Sequence, residues 1–289
     1  MSVPGLSMNY YLCPSGYELS RFAGEAAAAG ASGVGLSVAA WDANGAATCR
    51  RVAADNGLTI TTLNSAGDFL IRDSALAAAQ AARNLGLIDA AAEMGARALV
   101  VVTGGLSGQA FLDDLELRDR SLIRVADAHK AVVESLSRLN EQACAANVRL
   151  ALEPIHPMDI VFKGVVNSLT HATTLTEQIP GLGLILDVYH SWWDPGLPTP
   201  PSATAGVQIC GISQSSRDTK LDRTTLAESL ISVAPIIRNV LGAAPEAFVE
   251  FEMFDRHRRG RDVKDIIAAT MASWNEIVSE LKDSADAIR

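Results

Sequence analysis

Short apolar runs alternate with longer amphipathic stretches along the whole chain. The runs are LSMNYYL at 6–12, GVGLSV at 33–38, LTITTL at 58–63, ALVVVT at 98–103, VRLALEP at 148–154, LGLILDV at 182–188, GVQICGI at 206–212 and AFVEFEMF at 247–254. Their length and aliphatic make-up are those of buried strands. Helical patterning fills the gaps, over 18–30, 42–56, 74–95, 118–146, 167–179, 227–241 and 262–286. Between the sixth and seventh runs stands SWWDPGLPTPPSATA, too rich in proline for a long helix, so that unit is expected to be abbreviated.

Eight strands alternating with helices predict parallel pairing, and a closed (β/α)8 barrel over 1–289 with no linker to divide it. An open doubly wound sheet would place a Gly-rich turn after its first strand. CPSGYELS at 13–20 is not GxGxxG, and VTGGLSG at 102–108 lacks the Lys-Ser/Thr of a phosphate-binding loop.

Composition changes the picture in few places. A chain of 289 residues, 48% hydrophobic, buries enough surface to need no disulfide. Cys13, Cys49, Cys144 and Cys210 have no framework spacing and read as free thiols in a reducing compartment, which makes the cytoplasm the expectation. The N-terminal residues show no signal-peptide pattern, and no stretch approaches the roughly 18 apolar residues of a membrane span. A formal net charge of -9 opposes binding to nucleic-acid phosphates. The basic cluster at 256–261 reads as a solvated loop or subunit contact, with a grip on an anionic substrate as the other reading.

Candidate chemistry lies at the strand ends. In a barrel of this kind the C-terminal ends of the strands form the active face. Strand five ends at Glu153, with His156 beyond it; strand six ends at Asp187, with His190 following; strand eight carries Glu250 and Glu252 on one face, since strand side chains alternate. A carboxylate taken out of water needs a partner. Clustered carboxylates are expected either to share protons, to pair with rim arginines and lysines, or to hold a cation. An oxygen-rich set favours a divalent ion, Mn²⁺ first, with Mg²⁺ or Co²⁺ as alternatives.

Such a site can remove a proton from the carbon beside a carbonyl. Glu153 and Glu252 are the candidate acid/base pair, with His156 and His190 as donors to substrate oxygens. Returning the proton gives an epimer or an aldose-ketose isomer, and loss of a group from the next carbon gives a lyase. Trp192 and Trp193 sit by the predicted mouth, where either could stack on a sugar. His129 and His171 fall on helices and read as packing residues. Cys210, on the inner face of strand seven, reads as a small buried thiol without a basic neighbour.

LALEPIHPM, LILDVYHSWWD and FVEFEMF, in that order at the ends of strands five, six and eight, resemble the sugar phosphate isomerase/epimerase family with the xylose-isomerase-like barrel. The resemblance covers nearly the whole chain. It implies a small carbohydrate or polyol substrate and metal ligands at Glu153, Asp187 and Glu252. His190 then corresponds to a substrate-contacting histidine, and Glu250 could bind substrate or support Glu252.

The family's fourth ligand is a strand-seven histidine in His-x-x-Asp. Here Gln208 and Gly211 align with those two positions, and Gln208 is the candidate fourth ligand through its carbonyl oxygen. LDRTTLAES at 221–229 keeps Asp222 and Arg223 of a family pattern and lacks its Gly-Asp-Gly turn. These departures keep three other readings open: β-elimination from a 3-oxo-glycoside, a non-catalytic scaffold, and a small hetero-subunit completing the site. A homo-oligomer is the usual assembly of such barrels.

Overall fold

The structure is a computed structural model that describes residues 3–109, 121–214 and 221–286. Eight parallel strands close into a barrel: β1 (Leu6–Asn9), β2 (Gly33–Ser37), β3 (Thr59–Gly67), β4 (Ala98–Val102), β5 (Leu150–Leu152), β6 (Gly183–Asp187), β7 (Thr204–Ile209) and β10 (Phe248–Phe251). The ring runs β1-β10-β7-β6-β5-β4-β3-β2, with β1 pairing on both sides to shut it. Every predicted apolar run supplies one strand.

Burial explains the composition of these runs. Strands β1, β2, β4, β5, β6, β7 and β10 are covered on both faces, apart from the last residue of β4. One face meets the helices and the other fills the barrel, so apolar residues run continuously rather than alternating with polar ones. Inside, Ala98, Val100, Ala151, Ile185 and Phe248 form a small apolar cluster separate from the main core. Phe248 and Glu250 share one face of β10 and Glu252 lies just beyond its end, so the interior changes from apolar to acidic toward the C-terminal ends.

The helices follow the pattern with local corrections. The stretch expected as one helix over 42–56 is two, Val38–Asn44 and Ala46–Asp55, divided at Gly45. The helix expected from 227 starts at Ala234, which places Pro235 in the first turn, where a missing N–H removes no intrahelical bond. The helix expected over 118–146 runs Val125–Ala145, and its expected start at 118–120 lies outside the described residues. Between β6 and β7 stands only the four-residue α7 (Val188–Ser191), the abbreviated unit that the prolines predicted.

One element was absent from the sequence reading. After β7 the chain forms an antiparallel pair, β8 (Gly211–Ser213) and β9 (Asp222–Thr224). Gly211 makes this possible: a methyl group added there would meet the Thr225 carbonyl oxygen at 2.0 Å and the Thr224 methyl at 2.8 Å. No helix among the described residues is long and apolar enough to cross a membrane. All four cysteines are free.

Candidate active site

Strand geometry delivers the acids as the sequence predicted. Glu153 follows β5, Asp187 ends β6 and Glu252 follows β10, at 6%, 0% and 4% exposure. Asp187 also caps α7, its Oδ1 accepting from the Tyr189 N–H at 2.7 Å, and this short helix sets His190 over the cluster. Glu153, Asp187 and His190 each present a donor atom within 4.8 Å of the others, the geometry of a metal-binding triad.

Two cations already occupy the cluster. Arg223, on β9 and 1% exposed, donates from Nη2 to Asp187 Oδ2 at 2.5 Å and from Nη1 to Oδ1 at 3.3 Å. Nη1 also donates to the Glu252 backbone carbonyl at 3.1 Å and lies 4.0 Å from Glu252 Oε2. The guanidinium stacks over Tyr189 at 4.5 Å and Phe254 at 5.2 Å. Burial works against its charge, but Asp187 and Glu252 outweigh that and hold it protonated. The second cation, Lys163, places Nζ 3.1 Å from His190 Nε2 and acts electrostatically on Glu153 and Glu252.

The histidine's proton can be located from its neighbours. His190 Nδ1 accepts the backbone N–H of His156 at 3.1 Å, and a neutral imidazole has one accepting nitrogen, so Nε2 carries the hydrogen. Nε2 lies 3.6 Å from Glu153 Oε1 and faces Lys163. Two donors therefore converge where an acceptor is wanted.

The carboxyl groups separate in acidity. Burial pushes Glu153 up to about 7, with Lys163 pulling it down and Asp187 pushing it further up. Burial also carries Glu252 well above the carboxylate range, and Arg223 only partly offsets this. Glu252 Oε2 has no hydrogen-bond partner. Tyr11 lies beside these acids, stacked on Phe254 at 4.7 Å, and burial together with their charges keeps its phenol protonated.

Other expected site residues lie elsewhere. Gln208 donates through its side-chain N–H₂ to Glu250 Oε1 at 3.0 Å, while its carbonyl Oε1, the candidate ligand atom, is buried without a hydrogen-bond partner. Glu250 is 0% exposed and also accepts from Asn9, Thr61 and Thr62, so its oxygens are spent inside the barrel and do not face substrate. Gly35 makes room for it, since a methyl group there would strike Glu250 Oε2 at 2.4 Å. Alternation puts Cys210, two residues beyond Gln208, at the level of the mouth. Its Sγ lies 3.7 Å from Arg223 Nη1, which supplies the basic neighbour that the sequence did not reveal. Burial nevertheless pushes the thiol up to about 12, and it stays protonated.

His156 reaches the site through its backbone, while its ring Nδ1 accepts from Met158 N–H at 3.2 Å. Trp192 packs against the hydrophobic core; Trp193 is the one beside His156, with ring centres 5.8 Å apart, and it donates to the His190 carbonyl at 3.0 Å. His129 and His171 face each other across two helices, as packing residues do. In the basic cluster Arg258 pairs with Asp255 and Arg261 with Glu228, while Arg256 stacks over Phe254 and Arg259 donates to Ser213.

Comparison with known proteins fixes the family. Residues 23–277 match the family described as xylose isomerase-like TIM barrel. The chain belongs to that family. No curated protein matches it. Among solved structures, protein SMc04130 from Sinorhizobium meliloti 1021 is 27% identical, with a TM-score of 0.83 over 96% of this chain and 99% of that one. D-Psicose 3-epimerase from Clostridium cellulolyticum H10, solved with D-tagatose, shares 14% identity at TM-score 0.73, over 96% and 99% of the two chains. The IolI protein, solved with a zinc atom, shares 15% at 0.76, again over 96% and 99%. At these last identities the likeness is one of fold.

The family implies a divalent ion, and the side chains can be tested for one. Glu153, Asp187 and His190 lie close enough together to hold an ion, and the orphaned oxygens of Glu252 and Gln208 have the right chemistry. Three features oppose it: Arg223 engages both oxygens of Asp187, His190 turns a protonated nitrogen inward, and β7 offers a buried neutral thiol in place of imidazole. As these groups stand, they do not fit a resident divalent ion.

The role of Gly211 is open to direct test. Gly211→Ala should lower stability by roughly 1–3 kcal/mol in urea unfolding, because backbone at 2.0 Å cannot yield cheaply. Gly242→Ala is the control. It lies in the helix Ala234–Ala243 with nothing within 4 Å of the added methyl, and should gain up to about 1 kcal/mol. Equal effects at both positions would mean that the hairpin does not depend on that close approach.

Proposed function

We propose that the chain is a carbohydrate isomerase or epimerase that moves a proton at the carbon beside a carbonyl, with Glu153 as base and Glu252 as acid. The observation that carries this reading is the separation of two buried carboxyls, one near neutrality and one held protonated, beside a pair of converging donors. Environments that push paired acids apart assign their roles.

In this scheme ionised Glu153 takes the proton from the carbon next to the carbonyl, and the electron pair moves onto the carbonyl oxygen. The resulting enediolate oxygen sits between Lys163 Nζ and His190 Nε2–H, which supply the hydrogen bonds its charge requires. Glu252 then gives its proton to the opposite face of the same carbon for epimerisation, or, once the enediolate's hydroxyl proton has passed from the second oxygen to the first, to the neighbouring carbon for isomerisation. Glu153 finishes protonated and Glu252 ionised, and exchange with solvent restores both. Trp193 beside His156 offers an aromatic face at the mouth.

The test is wash-in of deuterium from heavy water into ketoses, inososes and 3-oxo-glycosides, followed by NMR. At least one class should exchange the hydrogen next to its carbonyl. Because the base works ionised, the rate should fall about tenfold per pH unit below about 7 and level off above it. Loss of a substituent without an epimer would identify a lyase sharing the first step, and no exchange in any class would leave the scaffold reading.

A further inference from the structure

We infer that this chain carries the site's cation in its own sequence: Arg223 pairs with Asp187 and holds the Glu252 backbone in place of a divalent metal ion, and the protein works without one. The inference rests on the proposed site, since Glu153, Asp187 and Glu252 are the carboxylates that the family resemblance assigns to a metal.

Several independent features converge on Arg223. Its guanidinium is held on all sides: both oxygens of Asp187, the Glu252 carbonyl, the Cys210 sulfur, and the rings of Tyr189 and Phe254. A planar fork matched to a carboxylate and stacked between aromatics is a built position, unlike that of a surface arginine folded inward. The residue also arrives by a dedicated element. The β8–β9 hairpin that sets it there is tightly packed at Gly211, where an added methyl group would meet the Thr225 carbonyl oxygen at 2.0 Å. Cys210 adds to the pattern: beyond β7, where the family has a histidine ligand nearby, the chain presents a thiol 3.7 Å from Arg223 Nη1.

Geometry accounts for the rest. Arg223 and Lys163 already stand among these carboxylates, and a divalent ion would first have to free Asp187 from a guanidinium that meets both its oxygens.

The experiment is elemental analysis of the purified full chain, followed by calorimetric titration with Mn²⁺ after dialysis against EDTA, in wild type and Arg223→Gln. Wild type should contain far less than one divalent ion per chain and show no saturable Mn²⁺ site up to about 1 mM. Arg223→Gln should bind Mn²⁺ at least about tenfold more tightly than wild type, and Asp187→Asn in that background should remove the gain. Deuterium exchange by wild type should be unchanged by EDTA.

One ion per chain in wild type, or exchange that needs added Mn²⁺, overturns the inference even if neither variant folds, and leaves the proposed reaction intact. Conversely, a metal-free protein that exchanges no sugar would end the proposed reaction while the assignment of Arg223 stands.

Discussion

Glu153→Gln should reduce deuterium exchange by roughly 10²–10⁴-fold, the usual worth of a positioned general base. The same substitution should not damage the fold, and its effect on stability should depend on pH in a defined direction. Burial raises the Glu153 carboxyl from the ordinary value of 4.5 to about 7. A group whose folded pKa is raised contributes stability that is complete below its unfolded value and is lost as pH rises through the folded one. Wild type therefore loses stability from this residue between about pH 5 and pH 8, whereas glutamine, of the same shape and uncharged, loses none. Urea unfolding at the two pH values should show the difference between variant and wild type moving in favour of the variant as pH rises. A variant that keeps wild-type exchange would remove Glu153 from the reaction. One that loses relative stability as pH rises would mean that the carboxylate is satisfied by a partner and not penalised by burial.

The strands, the abbreviated unit after β6 and three carboxylates at one mouth were legible in the sequence, because each is written in local terms. An apolar run of strand length names a strand wherever it lies, and the C-terminal end of a barrel strand names the mouth. Glu153, Asp187 and Glu252 could be read that way. Lys163 could not, and Arg223 showed only as part of a family pattern, without its pairing to Asp187. Lys163 comes from an irregular stretch between β5 and the helix Leu169–Gln178, and nothing in its neighbours signals that its amine reaches His190. Arg223 depends on a hairpin whose strands are three residues each and largely polar, too short for periodicity to register.

The sequence did hold a usable signal at Gly211. Aligned as a missing aspartate it reads as a loss, while in the structure it is a clearance for backbone. The depth of Glu250 was hidden for a related reason. Alternation along a strand tells which face a residue is on but not how deep it lies, and one step of two residues separates the mouth from the closed layer beneath it. His190 was placed correctly from its spacing to Asp187. The state of its ring followed only from the backbone amide that meets Nδ1, a contact between segments 34 residues apart.

Arg223→Met should cost about 3–5 kcal/mol of stability at neutral pH, among the largest losses available to a single substitution in this chain. Methionine keeps much of the apolar contact with Tyr189 and Phe254, so the loss isolates charge and hydrogen bonding. What it leaves behind is Asp187, 0% exposed, without the guanidinium that bridges both its oxygens. The cost belongs mainly to that abandoned carboxylate and not to the arginine itself.

Two further measurements separate these contributions. Asp187→Asn added to Arg223→Met should recover a substantial part of the loss, because the double variant leaves no buried charge unpaired, and the non-additivity reports the coupling. Adding Mn²⁺ should raise the unfolding midpoint of Arg223→Met and leave wild type unmoved, since a ligand stabilises only the folded form that binds it. If Arg223→Met costs under about 1 kcal/mol, the ion pair is not what keeps Asp187 charged in the barrel. The carboxylates must then be held by something other than the residue that the hairpin delivers.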